Sequence, residues 1–295
     1  MVALEGLEGL RRGRGLLGFS AGGDSVALFF LLLERGLPFD LAILDHGLRA
    51  QAQDEVAYAR ELGEKYQKRV HAKQVTLKGG NLEAQGRRER YKFFEDLIRE
   101  FGYTHLILAH HFNDRLEWFL MQLAKGASLQ TLLGFHALEP RQNYTLVRPL
   151  IYTLKSALLD YLHANNHRYF EDSTNQDTRF KRNLIRHSLA TPFLNLGGAS
   201  GLVRSFKALE LEKHALYPPL DCLKLCGVFV FKVGGQPLYY VDSLLKRLGY
   251  VLSAKQRLEL EQQGFNGVVG GYVVGCGGLV YVGKSVIFKP PIQRV

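Results

Sequence analysis

The chain has 295 residues, 46% of them apolar and 22% charged, which is the balance of an ordinary globular protein with room for two domains. Its formal charge is +10, and residues 201–295 carry +6 of it, so a polyanionic partner such as nucleic acid is favoured. Three cysteines, Cys222, Cys226 and Cys276, exclude a disulfide scaffold, and the longest wholly apolar run, Val26–Leu33, is far short of the roughly 20 residues a membrane-spanning helix needs.

The C-x3-C spacing of Cys222 and Cys226, with no second pair and no nearby histidine cluster, argues against a zinc site. The start of the chain sets acids before its arginines, and the apolar run after it breaks at Gly22–Asp24, a poor pattern for a signal peptide. A cytoplasmic protein is expected.

Leu16–Ser20 reads as a buried strand, and Asp24–Arg35 as a helix apolar nearly all round, ended by Gly36 and Pro38. Leu41–Leu44 is a second strand. Gln53–Lys68 is amphipathic, with Val56, Ala59, Leu62 and Tyr66 on one face. Arg69–Leu77 reads as a third strand. Asn81 can cap a helix that carries Tyr91, Phe94, Leu97, Ile98 and Phe101 and closes at Gly102. THLILAHH is a fourth strand, followed by a helix from about Asn113 to Lys125.

Four alternations of strand and helix imply right-handed crossovers and an α/β, doubly wound parallel sheet. Ligands of such sheets sit beyond the carboxyl ends of the strands. The polar stretches Ser20–Ser25, Asp45–Arg49 and His110–Asp114 all follow strands, so they converge on one rim.

Beyond residue 150, Thr153–Asn165 and Asp177–Leu189 read as helices around the polar turn EDSTNQD. Residues 191–201 contain Pro, Gly and Ser and can serve as a linker. Leu202–Leu216 reads as helix, Val228–Val233 as strand, and 264–283, with eight glycines among Val and Tyr, as short strands with tight turns. The expected division is a catalytic domain over 1–195 and a small α+β domain over 196–295 that contacts nucleic acid.

SAGGDS, Ser20 to Ser25, stands at the first strand-to-helix junction. It reads either as a tight turn or as a phosphate cradle, in which backbone N–H groups and a helix N-terminus converge on an anion. Gly22 and Gly23 permit close approach, and Ser20 and Ser25 can add hydroxyl donors. Asp24 would repel phosphate without a cation between them, so it reads as a magnesium ligand or as a helix cap. No Gly-Lys-Ser/Thr ends the stretch, so it is not a Walker loop.

SAGGDS resembles the SGGxDS loop of the PP-loop ATP pyrophosphatases, with Ala21 in place of the first glycine. DHGLR (Asp45–Arg49), NLEAQGRRERY with Arg87, Arg90 and Tyr91, and LAHHFNDRLEW with His110, His111, Asp114 and Glu117 are similar to motifs of the tRNA(Ile)-lysidine synthetases. RPL (Arg148–Leu150), EDSTN (Glu171–Asn175) and FKRNLIRH (Phe180–His187) follow in the family's order. Gly86, Asn113, Arg115, Trp118 and Lys125 depart from the pattern. The resemblance covers residues 14–190.

The resemblance implies a two-step ligation. ATP adenylates the C2 oxygen of the first anticodon cytidine of a CAU-anticodon tRNA(Ile). The ε-amine of free L-lysine then attacks C2, and AMP leaves. It implies ATP and Mg2+ at Ser20, Ala21, Gly22, Gly23, Asp24, Ser25, Asp45 and His46, with Asp24 on the metal. Asp24, Arg87, Arg90, His110, Asp114 and Glu117 are then the catalytic set. Asp114, Glu117, Asp172, Asn175, Arg182, Asn183 and Arg186 are the substrate contacts, and a homodimer is a family expectation.

Asp114 and Glu117 are i, i+3 on one helix face, so they can hold the lysine ammonium or accept its proton; alternatively Asp114 caps the helix and Glu117 is solvated. The runs Arg87–Arg88–Arg90–Lys92 and Arg179–Lys181–Arg182–Arg186 are solvated faces or phosphate contacts. Tyr239, Tyr240 and Tyr272 can stack on bases, but core roles are favoured. The competing functions are a tRNA thiolase, disfavoured because no cysteine precedes Cys222, a non-catalytic tRNA- or nucleotide-binding protein with a degenerate loop, and an amide ligase acting on small molecules.

Overall fold

The computed structural model describes residues 2–47, 51–77, 80, 82–171, 181–218, 220–232 and 237–285. Its first compact unit, Met1–Lys207, is built on one sheet. Five parallel strands, β1 (Gly15–Gly18), β2 (Phe39–Asp45), β3 (Val70–Gln74), β4 (His105–Ile107) and β6 (Thr145–Val147), are joined by β5 (Leu138–Pro140), which pairs antiparallel with β6 at the edge. The order β3-β2-β1-β4-β6-β5 runs outward from β1 in both directions. The gap between the carboxyl ends of β1 and β4 is therefore the topological switch point, where such sheets hold ligands.

Helices cover both faces, which is why the central strands are apolar without alternation. On one side Leu17 packs with α1 (Gly23–Glu34), with Tyr58, Ala59 and Leu62 of α2 (Ala52–Lys65), and with Leu158 and Leu162 of a later helix. On the other, Leu16, Ala42 and Leu106 pack with Phe93, Phe94, Leu97 and Ile98 of α3 (Leu82–Phe101). Helix α1 is buried from Ser25 through Leu32, so its all-round apolar sequence is an interior helix.

After β4 come α4 (Phe112–Leu123), the short α5 (Leu129–Leu132), the β5–β6 hairpin and α6 (Lys155–Ala164). Then α7 (Lys181–Ile185), a π-helical turn (Arg186–Ala190), α8 (Thr191–Phe193), a second π-helical turn (Leu194–Gly198) and α9 (Ala199–Leu216) follow without a break. The segment 191–201 is thus wound into helix rather than forming a linker. Pro192 lies inside this run, between the two π-helical turns, where it donates no backbone hydrogen bond, and Gly197 bends the chain at φ 88°.

The second unit, Ala208–Val295, begins inside α9. Strands β7 (Cys222–Leu225), β8 (Val228–Lys232), β9 (Gly267–Val269), β10 (Tyr272–Gly277) and β11 (Leu279–Lys284) form an antiparallel sheet of order β7-β8-β11-β10-β9. Helices α10 (Pro237–Arg247) and α11 (Ala254–Gln262) supply Tyr240, Val241, Leu244, Leu245 and Leu260 to a core with Phe231, Val274, Val280 and Val282. Tyr240 is buried there, and Tyr239 and Tyr272 pack against it, so the three tyrosines are core residues. Among the described residues no helix is long and apolar enough to cross a membrane.

Candidate active site

Strand β1 hands the chain to a turn that is held by its own side chains. Ser20 N donates to Ser25 Oγ at 3.2 Å, Ser25 Oγ to Gly22 O at 2.9 Å, and Gly22 N to Ser20 Oγ at 3.4 Å. Both hydroxyls therefore serve the loop itself. Ala21 has φ 57°, the left-handed region, which costs an alanine about 1–2 kcal/mol. That is the physical reason a glycine suits the position. Ala21 is held there by burial and by Phe170 N, which donates to its carbonyl at 2.9 Å. Gly23 opens α1, and a Cβ there would meet Tyr169, Leu159 and Leu162 at ordinary van der Waals distance.

Asp24 lies in the first turn of α1, and its Oδ2 is 3.4 Å from His111 Nε2. Burial pushes the carboxyl's pKa up, but His111 and then Lys155 outweigh it, so Asp24 is lowered and stays ionised. Its Oδ1 is buried with no hydrogen-bond partner. A buried oxygen without a donor fits one carboxylate ligand of a Mg2+ ion carried in by a nucleotide, since that ion typically takes only one or two protein carboxylates. Among the described residues no His, Cys, Asp and Glu gather in threes to hold a metal alone.

His111 caps α4. It is 3% exposed, and its Nε2 also lies 3.6 Å from Asp114 Oδ2, which accepts from the His111 backbone N at 3.0 Å. Burial pulls its pKa down, yet Asp114 and Asp24 together raise it. The adjacent His110 goes the other way. Burial drives it down to about 3, with Arg148, Arg182 and Arg87 adding to the fall and only Asp114 opposing. One imidazole is thus held neutral, and its neighbour is biased toward the charged form. His110 meets the Phe135 ring edge-on at 5.1 Å.

Asp114 and Glu117 do share a face, but guanidinia already occupy it. Arg182 donates to Asp114 Oδ1 at 2.5 Å and to Glu117 Oε2 at 2.7 Å, and Arg186 Nε donates to Glu117 Oε1 at 2.6 Å. Glu117 is 1% exposed, so it is neither solvated nor an open lysine contact in this state. The basic run of α7 folds back on the acids of α4 instead of standing on the surface. Asn183 is buried and accepts weakly from Arg186 at 3.5 Å. Burial pushes Asp114 up, but His111, Arg182 and His110 bring it well below the usual carboxylate range.

Asp45 is turned inward. It accepts from Gly47 N at 2.7 Å and Gln74 Nε2 at 3.0 Å, so each carboxylate oxygen braces the turn after β2 or the neighbouring β3. His46 Nε2 lies 3.4 Å from Arg90 Nη2, and a Cβ at Gly86 would come within 3.3 Å of the His46 ring and of Leu77, a tight fit. Arg87 is exposed, over the Tyr91 ring at 5.0 Å. Asp172 and Asn175, and the Asn81 cap, lie outside the described residues.

The departures in the α4 motif have local uses. Asn113 Oδ1 accepts from Lys155 N at 3.0 Å and so caps α6. Arg115 is fully buried between the rings of Tyr152 and Phe206, about 5 Å from each. Trp118 Nε1 donates to Thr131 O at 2.7 Å. Arg148 donates to His136 O and Glu139, fixing the 135–139 stretch beneath His110. Sequence reasoning did not select His111 as the bridge, nor Lys155 at all. The first was signalled by its place three residues before Asp114 in the motif after β4, while nothing local marked the second.

A phosphate loop at the switch point of a parallel sheet, backed by ionised acids, defines the class of an ATP-binding PP-loop protein. The family model for the PP-loop domain matches residues 4–192. The chain is 46% identical to the tRNA(Ile)-lysidine synthase of Wolinella succinogenes, covering 100% of this chain and 89% of that protein. It is 44% identical to that of Helicobacter pylori, over 88% and 76% of the two chains. The fold is also similar to the U34-tRNA thiolase NcsA of Methanococcus maripaludis, with a TM-score of 0.55 at 17% identity, covering 82% and 83% of the chains. The chain belongs to the PP-loop family and, within it, to the tRNA(Ile)-lysidine synthases.

Proposed function

We propose that the protein uses ATP to join L-lysine to C2 of the first anticodon cytidine of a CAU-anticodon tRNA(Ile), forming lysidine and releasing AMP and pyrophosphate in the cytoplasm. The observation that carries this is one line of contacts. The phosphate loop bears Asp24, Asp24 touches His111, His111 touches Asp114, and Asp114 shares Arg182 with Glu117. On this reading the nucleotide end at His111 and the amine end at Asp114 and Glu117 fall within the first two turns of α4.

In the first step, charge builds on the α-phosphate and the leaving pyrophosphate, and N–H dipoles and cations aimed at it lower the barrier. The loop N–H groups, the α1 N-terminus and the arginines of α3 supply them. Mg2+, held by Asp24 Oδ1, would add a divalent charge at the phosphates. His110, kept neutral at physiological pH, can hydrogen-bond the cytidine or phosphate without adding a charge.

In the second step the lysine arrives as an ammonium with a pKa near 10.4, gives one proton to solvent, and attacks C2 through its neutral ε-amine as AMP departs with the electron pair of the C2–O bond. Asp114 is too acidic to be an effective base, so it acts as the anchor for the ammonium. Substrate lysine replaces guanidinium contacts on Asp114 and Glu117 with its own, a like-for-like exchange of cations. A thiolase reading lacks support, because the three cysteines all lie in the second unit and are free thiols.

The test is transfer of labelled lysine to a CAU-anticodon tRNA(Ile) transcript with ATP and magnesium, beside a tRNA(Met) control. Incorporation into the first alone is expected. AMP release without lysine incorporation would keep the adenylating loop and remove the lysine assignment.

A further inference from the structure

We infer that Lys155 is a further catalytic residue, whose ammonium holds the pyrophosphate end of ATP and stabilises it as it leaves. The inference rests on the adenylation step proposed above.

Three helix N-termini meet at one point. The α1 and α4 ends are joined by the Asp24–His111 contact at 3.4 Å. The α4 and α6 ends are joined by Phe112 N donating to Thr153 O at 2.9 Å and by Lys155 N donating to Asn113 Oδ1 at 3.0 Å. Helices α1, α4 and α6 have 12, 12 and 10 residues, long enough for each end to carry its share of the macrodipole. All three present their positive ends here.

Cations are disfavoured at such ends, yet Lys155 stands at this one beside a buried imidazole. His111 is 3% exposed, and its Nδ1 is buried with no hydrogen-bond partner. Lys155 is the first residue of α6 and half-buried, and no carboxylate among the described residues pairs with it within 4.0 Å. Its charge nonetheless reaches both Asp24 and His111. Positive helix ends, an unpaired ammonium and a buried imidazole with a free nitrogen are an arrangement that awaits a polyanion.

Lys155 belongs to the pyrophosphate end. Helix α6 packs on the start of α1, with Leu159 and Leu162 each 3.6 Å from where a Gly23 side chain would begin. Arg87 and Arg90 approach from α3, on the opposite face of the sheet. In the step itself, the cytidine O2 forms a bond to the α-phosphorus, the bond from that phosphorus to the bridging oxygen breaks, and the electron pair departs on pyrophosphate. Lys155 transfers no proton in this step and only balances charge.

The test uses the full chain with Lys155→Met and Lys155→Arg, with inorganic pyrophosphate as the probe. Calorimetry is expected to show pyrophosphate binding about tenfold weaker in Lys155→Met and close to wild type in Lys155→Arg, with AMP binding unchanged in both. Turnover of ATP to pyrophosphate should fall about 10²-fold in Lys155→Met. Asn113→Ala, which uncaps α6, should shift pyrophosphate binding the same way by less. Unchanged pyrophosphate binding in Lys155→Met, an arginine variant as weak as the methionine one, or no pyrophosphate binding by the wild type would each overturn the assignment. None of these binding measurements needs lysine or tRNA. Failure of lysine incorporation with intact pyrophosphate binding would thus strike the ligase reading and leave Lys155 in place.

Discussion

His111 Nε2 lies 3.4 Å from Asp24 Oδ2 and 3.6 Å from Asp114 Oδ2, so a single imidazole ties the phosphate loop to the acidic helix. Its folded pKa is raised above the ordinary 6.5. The stability it contributes as an imidazolium is then complete below about pH 6.5 and is lost as pH rises through the folded value. His111→Gln should cost more stability at about pH 6 than at about pH 9. Urea unfolding of both proteins at the two pH values measures this. An equal gap, or a wider one at pH 9, would show that the histidine is held neutral.

Ala21 at φ 57° makes a second prediction by size. Ala21→Gly relieves left-handed strain but loses a buried methyl and gains chain entropy in the unfolded state, so its stability should change by less than about 1 kcal/mol. Ala21→Val places a β-branched residue where that backbone is a genuine outlier, and should cost about 2 kcal/mol or more. Pyrophosphate release should follow the same order. A valine variant as stable and active as wild type would show that the loop adopts another conformation.

The first four strands and their helices were legible because apolar period and turn residues coincide there, as in Leu16–Leu17 running into Gly22–Gly23. So were the acids after β1 and β4, since topology alone brings those loops together. The β5–β6 hairpin was not, because strands of three residues carry no period. Helices α10 and α11 went unassigned although Ser253 and Gln256 form a capping box. The ion pairs of Glu117 with Arg182 and Arg186 join residues 65 and 69 positions apart, and no local pattern encodes such a pairing. Sequence reasoning gave acids and arginines separate tasks, lysine for one and tRNA for the other, where folding sets them against each other.

Asp24→Asn preserves shape while removing the charge that faces His111 and the metal. Adenylation should fall by at least about 10²-fold, measured as tRNA-dependent pyrophosphate release. Far-ultraviolet circular dichroism should be unaltered. Normal turnover would remove Asp24 from the nucleotide site.

Glu117→Gln removes one charge from a cluster that holds two guanidinia. Breaking a buried pair from one side costs about 3–5 kcal/mol, and the partial exposure of Arg182 and Arg186 places this case near the lower end. The KM for lysine should rise far more than that for ATP, because the loop lies beyond Asp114. An unchanged KM for lysine with the expected loss of stability would leave Glu117 a structural residue alone.

Arg182 distinguishes an internal ion pair from a phosphate contact. Each lysine or arginine that neutralises an RNA phosphate adds about one to the slope of log binding constant against log salt. Arg182 is engaged by Asp114 and Glu117, so Arg182→Ala should leave that slope unchanged. It should instead lower stability and weaken discrimination among cationic amino acids, since both carboxylates lose their shared partner. Filter binding of tRNA across a salt series, read beside lysine and ornithine competition, measures both. A slope shallower by about one would mean that tRNA draws Arg182 away from the acids, and that the pairing seen here belongs to the protein before tRNA binds.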